Sequence, residues 1–60
     1  MKTYLVSWTT RKGTSERRHR HEFQAANARA ARMLFMAWRE NRGLKAEPLD
    51  ITVEVAEAQG

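Results

Sequence analysis

The sequence predicts an α+β fold built from two strands, one helix and a last strand. Three observations predict it: large apolar residues alternate near the start of the chain, helix-forming residues dominate its middle, and a second alternating run lies near its end. A hairpin followed by a crossover helix restricts how the third strand can pair. We therefore expect one small ββαβ domain, residues 1–60, with a three-stranded antiparallel sheet in the order 2-1-3 and the helix packed on one face.

The first half of the chain is predicted to be a β-hairpin. Residues 2–10 form its first strand, because aromatic and β-branched side chains recur at every second position. Gly13 lies in the polar segment that follows, and it is the residue there that adopts a positive φ most easily. Residues 16–23 form the second strand, so we expect a hairpin with a polar, mobile tip.

The second half of the chain is predicted to be a helix and a third strand. Asn27 suits the N-cap and Gly43 suits the helix stop, which together indicate a helix over residues 27–42. Residues 50–56 contain a strict alternation of β-branched and polar side chains, the pattern of a strand with one covered face. The final residues, 57–60, are expected to fray.

These periods predict which side chains the helix covers. On the sheet, the covered face is expected to hold Tyr4, Val6, Trp8, Phe23, Ile51, Val53 and Val55. The opposite face is expected to be open and to show Thr3, Leu5, Ser7, Thr9, Arg18, Arg20, Glu22, Thr52 and Glu54. At 100° per residue, the helix stripe that meets the sheet contains Ala31, Leu34, Phe35 and Trp38.

The composition disfavours an enzyme. Hydrophobic residues make up 42% of the chain, which is 25 of 60, and nine of these are Ala, so sixteen larger apolar side chains must build the whole core. A chain of this length buries only about 60% of its unfolded surface, which leaves no room for a deep catalytic cavity. No nucleophile–base pair, paired acids or phosphate-cradling glycine loop can be assembled from the sequence. We expect a non-catalytic protein without a cofactor.

The chain also lacks sequence features typical of secreted and membrane proteins. It has no cysteine, which excludes disulfides and thiolate metal sites. The longest apolar run, residues 33–38, is too short to span a bilayer. No apolar segment long enough for a signal peptide follows Lys2. We expect a cytoplasmic protein with no membrane partner.

Charge is distributed unevenly along the chain, whose formal net charge is +4. Residues 1–45 hold all eleven Lys and Arg and three acids, a balance of +8. Residues 46–60 hold four acids and no base, a balance of −4. A basic body of this kind favours a polyanionic partner, either nucleic acid or an acidic protein surface.

The residues around the hairpin turn are candidates for nucleic-acid binding. A two-stranded ribbon with basic flanks can enter a major groove or lie along a phosphate backbone. The residues that would contact DNA or RNA are Arg11, Lys12, Arg17, Arg18 and Arg20. His19 and His21 share one face of the second strand, but without a third ligand they predict no metal site. The alternative interpretation of this cluster is a solvated hairpin tip.

One flank of the helix is a candidate protein-binding surface. Three arginines form a basic ridge beside two methionines that the sheet cannot cover, and methionine suits adaptable apolar contacts. The residues of this surface are Arg29, Arg32, Met33, Met36 and Arg39. The alternative interpretation is a solvated helix face with no partner. A second copy of the chain is a further candidate occupant, because a homodimer would hide the surplus apolar surface.

The strand-to-helix junction carries a resemblance to a known type of protein. Residues 23–27, Phe-Gln-Ala-Ala-Asn, are followed by Ala30, Ala31 and Trp38 in the predicted helix. This layout resembles that of small phage-encoded ββαβ host-modulating proteins, among them inhibitors of host RNA polymerase and anti-CRISPR proteins. The resemblance implies a protein that acts in a bacterial host by occupying a surface. Many of those proteins are acidic, so the basic charge here disfavours mimicry of nucleic acid.

Two functional hypotheses follow from these observations. The first is a non-catalytic interaction module, an accessory protein of a phage or mobile element, that binds a host or phage protein through the helix flank. The alternative is a DNA- or RNA-binding domain that uses the basic hairpin and the open sheet face. Both hypotheses expect a negatively charged partner.

Overall fold

The computed structural model describes residues 1–56 as a three-stranded antiparallel sheet with one helix against it. The elements are β1 (Lys2–Lys12), β2 (Ser15–Ala25), α1 (Ala28–Asn41) and β3 (Leu49–Val55). The strand order is β2-β1-β3, and both outer strands run antiparallel to β1. The predicted α+β class, ββαβ layout and strand order are therefore confirmed. The tail that was expected to fray, residues 57–60, lies outside the described residues.

The hairpin is longer and more regular than its sequence predicts. β1 and β2 pair without interruption up to Lys12↔Ser15, so the ladder reaches a two-residue turn. Gly13 has φ +63°, whereas the φ of Thr14 is not positive. A positive φ at the first turn position alone is the pattern of a type II′ turn, whose twist matches that of the flanking strands. The paired strands therefore extend past the predicted strand ends, residues 10 and 16, and reach the turn itself.

The third strand covers only the inner part of the hairpin. Its pairing with β1 runs from Tyr4↔Val55 to Thr9↔Leu49. Residues 10–17 consequently continue past β3 as a two-stranded projection, which we call the ribbon. Its two strands are joined to each other but to no third strand in the part of the chain that the structure describes.

A β-bulge lies where the sheet narrows from three strands to two. The register of β1 with β3 shifts between Ser7 and Thr9, so Asp50 and Ile51 both lie opposite Trp8. Asp50 has φ +51°, in the left-handed region that aspartate adopts more readily than most residues. A bulge raises the local twist of its strand, and this one therefore bends β3 beside the base of the ribbon.

Helix α1 begins and ends with recognisable caps. The Asn27 side chain accepts a hydrogen bond from the backbone N–H of Ala30 at 2.8 Å, as an N-cap does. Gly43 has φ +67°, and its left-handed conformation turns the chain back after the helix. Within residues 1–56, no helix combines the length and the apolarity needed to cross a membrane.

The core is one thin layer between α1 and one face of the sheet. Its buried residues are Tyr4, Val6, Trp8, Ala25, Ala31 and Phe35. Two residues that were expected on the covered surfaces are exposed, Leu34 by 45% and Val55 by 46%. Leu34 turns outward because α1 meets the sheet through Ala31, Phe35 and Trp38, and Val55 lies at the end of an edge strand.

Candidate functional site

The five hairpin residues predicted to contact nucleic acid lie on both faces of the sheet. Because side chains alternate along a strand, Arg11, Arg18 and Arg20 project from the open face, and Lys12 and Arg17 project from the face that carries α1. All five are exposed. They form two rows, so a partner that surrounds the ribbon would contact more of them than a flat partner would.

Arg18 is tied to the open face of the sheet. One guanidinium nitrogen, Nη1, donates to Thr9 Oγ1 at 3.0 Å, and the other, Nη2, donates to Thr52 Oγ1 at 3.4 Å. Nη1 also lies 3.4 Å from the backbone carbonyl oxygen of Asp50. Arg18 therefore crosses from β2 over β1 to β3, and it braces the three strands beside the bulge.

Arg11 is the second of the five predicted residues whose side chain has a partner. It donates to the Glu16 carboxylate from two guanidinium nitrogens, and this is the one ion pair among residues 1–56. Lys12, Arg17 and Arg20 consequently keep cations that no carboxylate neutralises in that part of the chain. Two of these free cations, Lys12 and Arg17, lie on the narrow ribbon, which favours an anionic partner there.

The helix flank retains four of its five predicted residues. Arg29, Arg32, Met33 and Met36 are all exposed, Met33 by 66% and Met36 by 45%. They lie on the outer side of α1, away from the buried side that Phe35 marks. The flank is therefore a mixed cationic and apolar surface, as the helical period predicted.

Arg39, the fifth residue predicted for this surface, lies apart from the other four because it is buried. It is only 8% exposed, and its guanidinium carbon lies 5.9 Å from the centre of the Phe35 ring. Its Nη2 donates to the backbone carbonyl of Ala46. The left-handed turn at Gly43 brings the following loop back over Arg39. The helical period could not predict the burial of Arg39, because it contains no information about this loop.

The covered face carries a cluster of stacked rings that extends from the core towards the ribbon. His19 stacks on Trp8 with centroids 5.4 Å apart, and His21 stacks on Trp38 at 4.7 Å. The Nε2 of His19 lies 2.8 Å from Thr10 Oγ1, a cross-strand hydrogen bond at the base of the ribbon. Among residues 1–56, no three His, Cys, Asp or Glu residues are grouped to hold a metal ion.

A cleft of about 370 Å³ lies between this ring cluster and the loop that follows α1. We call it the terminal cleft. Its main lining residues are Trp8, His19, Trp38, Arg39, Arg42 and Lys45. The guanidinium carbon of Arg42 lies 5.0 Å from the Trp38 ring centre, so a cation already covers an aromatic surface here. The cleft combines hydrogen-bond donors with aromatic rings, a combination that suits an anion with a flat ring.

Sequence reasoning missed the terminal cleft. The strand and helix periods predict Trp8 and Trp38 only as residues of the covered surfaces. The available signal was the proximity of Trp38, Arg42 and Lys45 along the chain, but the loop geometry that joins them to β1 is a tertiary feature.

No protein-family model, curated protein or solved structure matches this chain.

Proposed function

We propose that this protein is a non-catalytic nucleic-acid-binding module and that the ribbon is its contact element. The observation that carries the proposal is the projection of residues 10–17 past β3. A two-stranded ribbon of this kind fits a major groove or follows a phosphate backbone. Lys12 and Arg17 lie on this projection, and Arg20 lies on the open face of the three-stranded part of the sheet. No acid pairs with any of the three within residues 1–56.

The expected contacts are to phosphates rather than to base edges. Lysine and arginine side chains on both faces of a ribbon neutralise backbone charge, which gives affinity without sequence information. Arg18 contributes less than the other cations, because its guanidinium already bonds to Thr9 and Thr52. We therefore expect binding to both DNA and RNA, with little sequence preference.

Fluorescence anisotropy with a labelled random-sequence duplex and a labelled single strand tests this proposal. Three released counterions predict that affinity falls roughly 20- to 40-fold between 50 and 200 mM salt. The variant with Lys12→Gln and Arg17→Gln should bind several-fold more weakly than wild type at 50 mM salt. The matched control, Arg29→Gln with Arg32→Gln, removes the same charge from the helix flank. Absence of binding at 50 mM salt, or equal losses in the two variants, would contradict the proposal.

A second candidate function is protein binding through the helix flank. The 66% exposure of Met33 favours it, since a large apolar side chain beside Met36, Arg29 and Arg32 suits an acidic protein surface with an apolar patch. The context implied by the layout resemblance is a phage or mobile-element accessory protein that meets a host or phage protein in the bacterial cytoplasm.

Affinity capture from a bacterial lysate, with and without nuclease, separates the two candidate functions. A partner retained after nuclease treatment and lost on Met33→Ser with Met36→Ser supports the flank, provided that circular dichroism is unchanged. If the two serine substitutions leave the capture of the partner unchanged, the helix flank is not the binding surface. Sedimentation equilibrium tests whether a second copy of the chain is the occupant. In that case wild type should have twice the mass of one chain, and the serine variant should have the mass of one chain.

A further inference from the structure

The terminal cleft contains a buried cation without a counterion. Arg39 is 8% exposed, and its Nε has no hydrogen-bond acceptor. Its Nη2 donates to a neutral carbonyl, that of Ala46, and no carboxylate within residues 1–56 lies at salt-bridge distance. A buried guanidinium without an anion is unfavourable, and a bound anion would relieve that penalty.

Two exposed cations and a half-buried ring complete the cleft. Arg42 and Lys45 are exposed beside Arg39, and the Trp38 ring is half-buried below the Arg42 guanidinium. An arginine over a tryptophan marks a ring surface that a flat group can also occupy. The cleft volume of about 370 Å³ lies in the range of small-ligand pockets.

We infer that the terminal cleft holds one unpaired nucleotide of a single strand, with the base on Trp38 and the phosphate at the arginine cluster. The base takes the position over Trp38 that Arg42 occupies without a ligand. Arg42 then turns to the phosphate, beside Arg39 and Lys45. This inference rests on the proposed function, because the rest of the strand must follow the ribbon.

The cleft lies next to the face of the ribbon that carries Lys12 and Arg17. Thr10 and His19 line the cleft and also form the base of the ribbon. Lys12 and Arg17 lie on the same face, further along the two strands. A strand anchored in the cleft therefore meets these two cations next. A base within a duplex is paired and stacked, so it cannot enter without being extruded.

Intrinsic tryptophan fluorescence tests the inference directly, because both tryptophans of the chain line the cleft. The probes are a mixed-sequence 16-nucleotide DNA single strand and the corresponding 16-base-pair duplex, both at 50 mM salt. We expect the single strand to change the tryptophan emission and to bind roughly 5- to 150-fold more tightly than the duplex, the range expected from one stacked base.

A charge-matched pair of variants assigns the effect to the cleft. Arg42→Gln with Lys45→Gln removes two exposed cations from the cleft, and Arg29→Gln with Arg32→Gln removes two exposed cations from the helix flank. The cleft variant should lose about tenfold more single-strand affinity than the flank variant, since each lost bond to a charged group weakens binding several-fold. Both variants should lose the same duplex affinity, and circular dichroism should match wild type.

The outcomes separate this inference from the proposed function. Equal affinity for single strand and duplex, or equal losses in the two variants, overturns the nucleotide cleft and leaves the ribbon proposal standing. If the tryptophan emission does not change on saturation with the single strand, the nucleotide cleft is likewise overturned and the ribbon proposal still stands. Failure of both probes to bind at 50 mM salt overturns both proposals.

Discussion

The two halves of the hairpin share one continuous backbone ladder but are held by different forces. In the inner half, Tyr4, Val6 and Trp8 are buried under α1. In the ribbon, residues 11–17 are all exposed, and the cross-strand contact at Arg11 and Glu16 is polar. A thin core at one end of a hairpin can therefore support a solvated contact element at the other end, because the backbone pairing of β1 with β2 continues through both halves.

The largest loss of stability is expected when a core residue that packs on the inner half of the hairpin is truncated. Phe35 is fully buried, and its ring centroid lies 4.6 Å from that of Trp8. Phe35→Ala should lower the free energy of unfolding by about 3–5 kcal/mol, whereas a 60-residue domain has only roughly 3–9 kcal/mol in total. Urea unfolding followed by circular dichroism should show a transition that is lost or moved to very low urea. A wild-type midpoint would show that Phe35 does not hold the core.

A smaller effect is expected from straining the ribbon at its turn. Gly13 has φ +63°, and a Cβ placed there would meet no atom within 4 Å, so the strain of Gly13→Ala is purely conformational. We expect a loss of about 1–2 kcal/mol. Amide hydrogen exchange should accelerate most in the ribbon.

The synthetic control places D-alanine at position 13. D-alanine prefers positive φ, so this variant should match or exceed the wild-type stability. Equal destabilisation by both alanines would contradict the conformational explanation.

The smallest effect is expected from the ion pair of the ribbon. The side chains of Arg11 and Glu16 are 59% and 52% exposed, so water screens their attraction. A double-mutant cycle with Arg11→Gln and Glu16→Gln should give a coupling free energy below about 1 kcal/mol. A coupling well above that value would show that side-chain pairing, and not the backbone ladder, holds the ribbon together.

The ion pair between Arg11 and Glu16 should also affect the proposed binding of nucleic acid by the ribbon. Glu16→Gln frees the Arg11 guanidinium, so the proposed nucleic-acid affinity should rise several-fold at 50 mM salt, with a salt slope steeper by about 0.9 on a duplex. Anisotropy measures both quantities. Weaker binding by this variant would indicate that Arg11 acts only as part of the pair.

The fold was predictable because the local pattern and the observed burial agree along β1 and along β3 as far as Val53. Alternation at Tyr4, Val6 and Trp8 places one face inward, and the short connections allow few ways to close the sheet. The rotation of α1 was less predictable, since its apolar circumference is wider than the sheet. Leu34 is therefore exposed, although the helical period predicts it in the stripe that meets the sheet.

The site was predictable only where it depends on strand alternation. The placement of Lys12 and Arg17 on one face follows from the hairpin register. The burial of Arg39 depends on a loop that returns after Gly43, and no periodic pattern encodes that return. The left-handed conformation of Asp50 could not be predicted from the sequence either, because an aspartate in an alternating strand does not by itself indicate a bulge.

The order β2-β1-β3 leaves β2 as a long outer strand whose far backbone edge is unpaired within residues 1–56. Such an edge is a template on which identical chains can stack. Arg17, Arg18 and Arg20 lie along it, and antiparallel stacking of two copies would bring these like charges together. The arginines therefore disfavour stacking along this edge, and we expect aggregation when all three are exchanged for neutral residues.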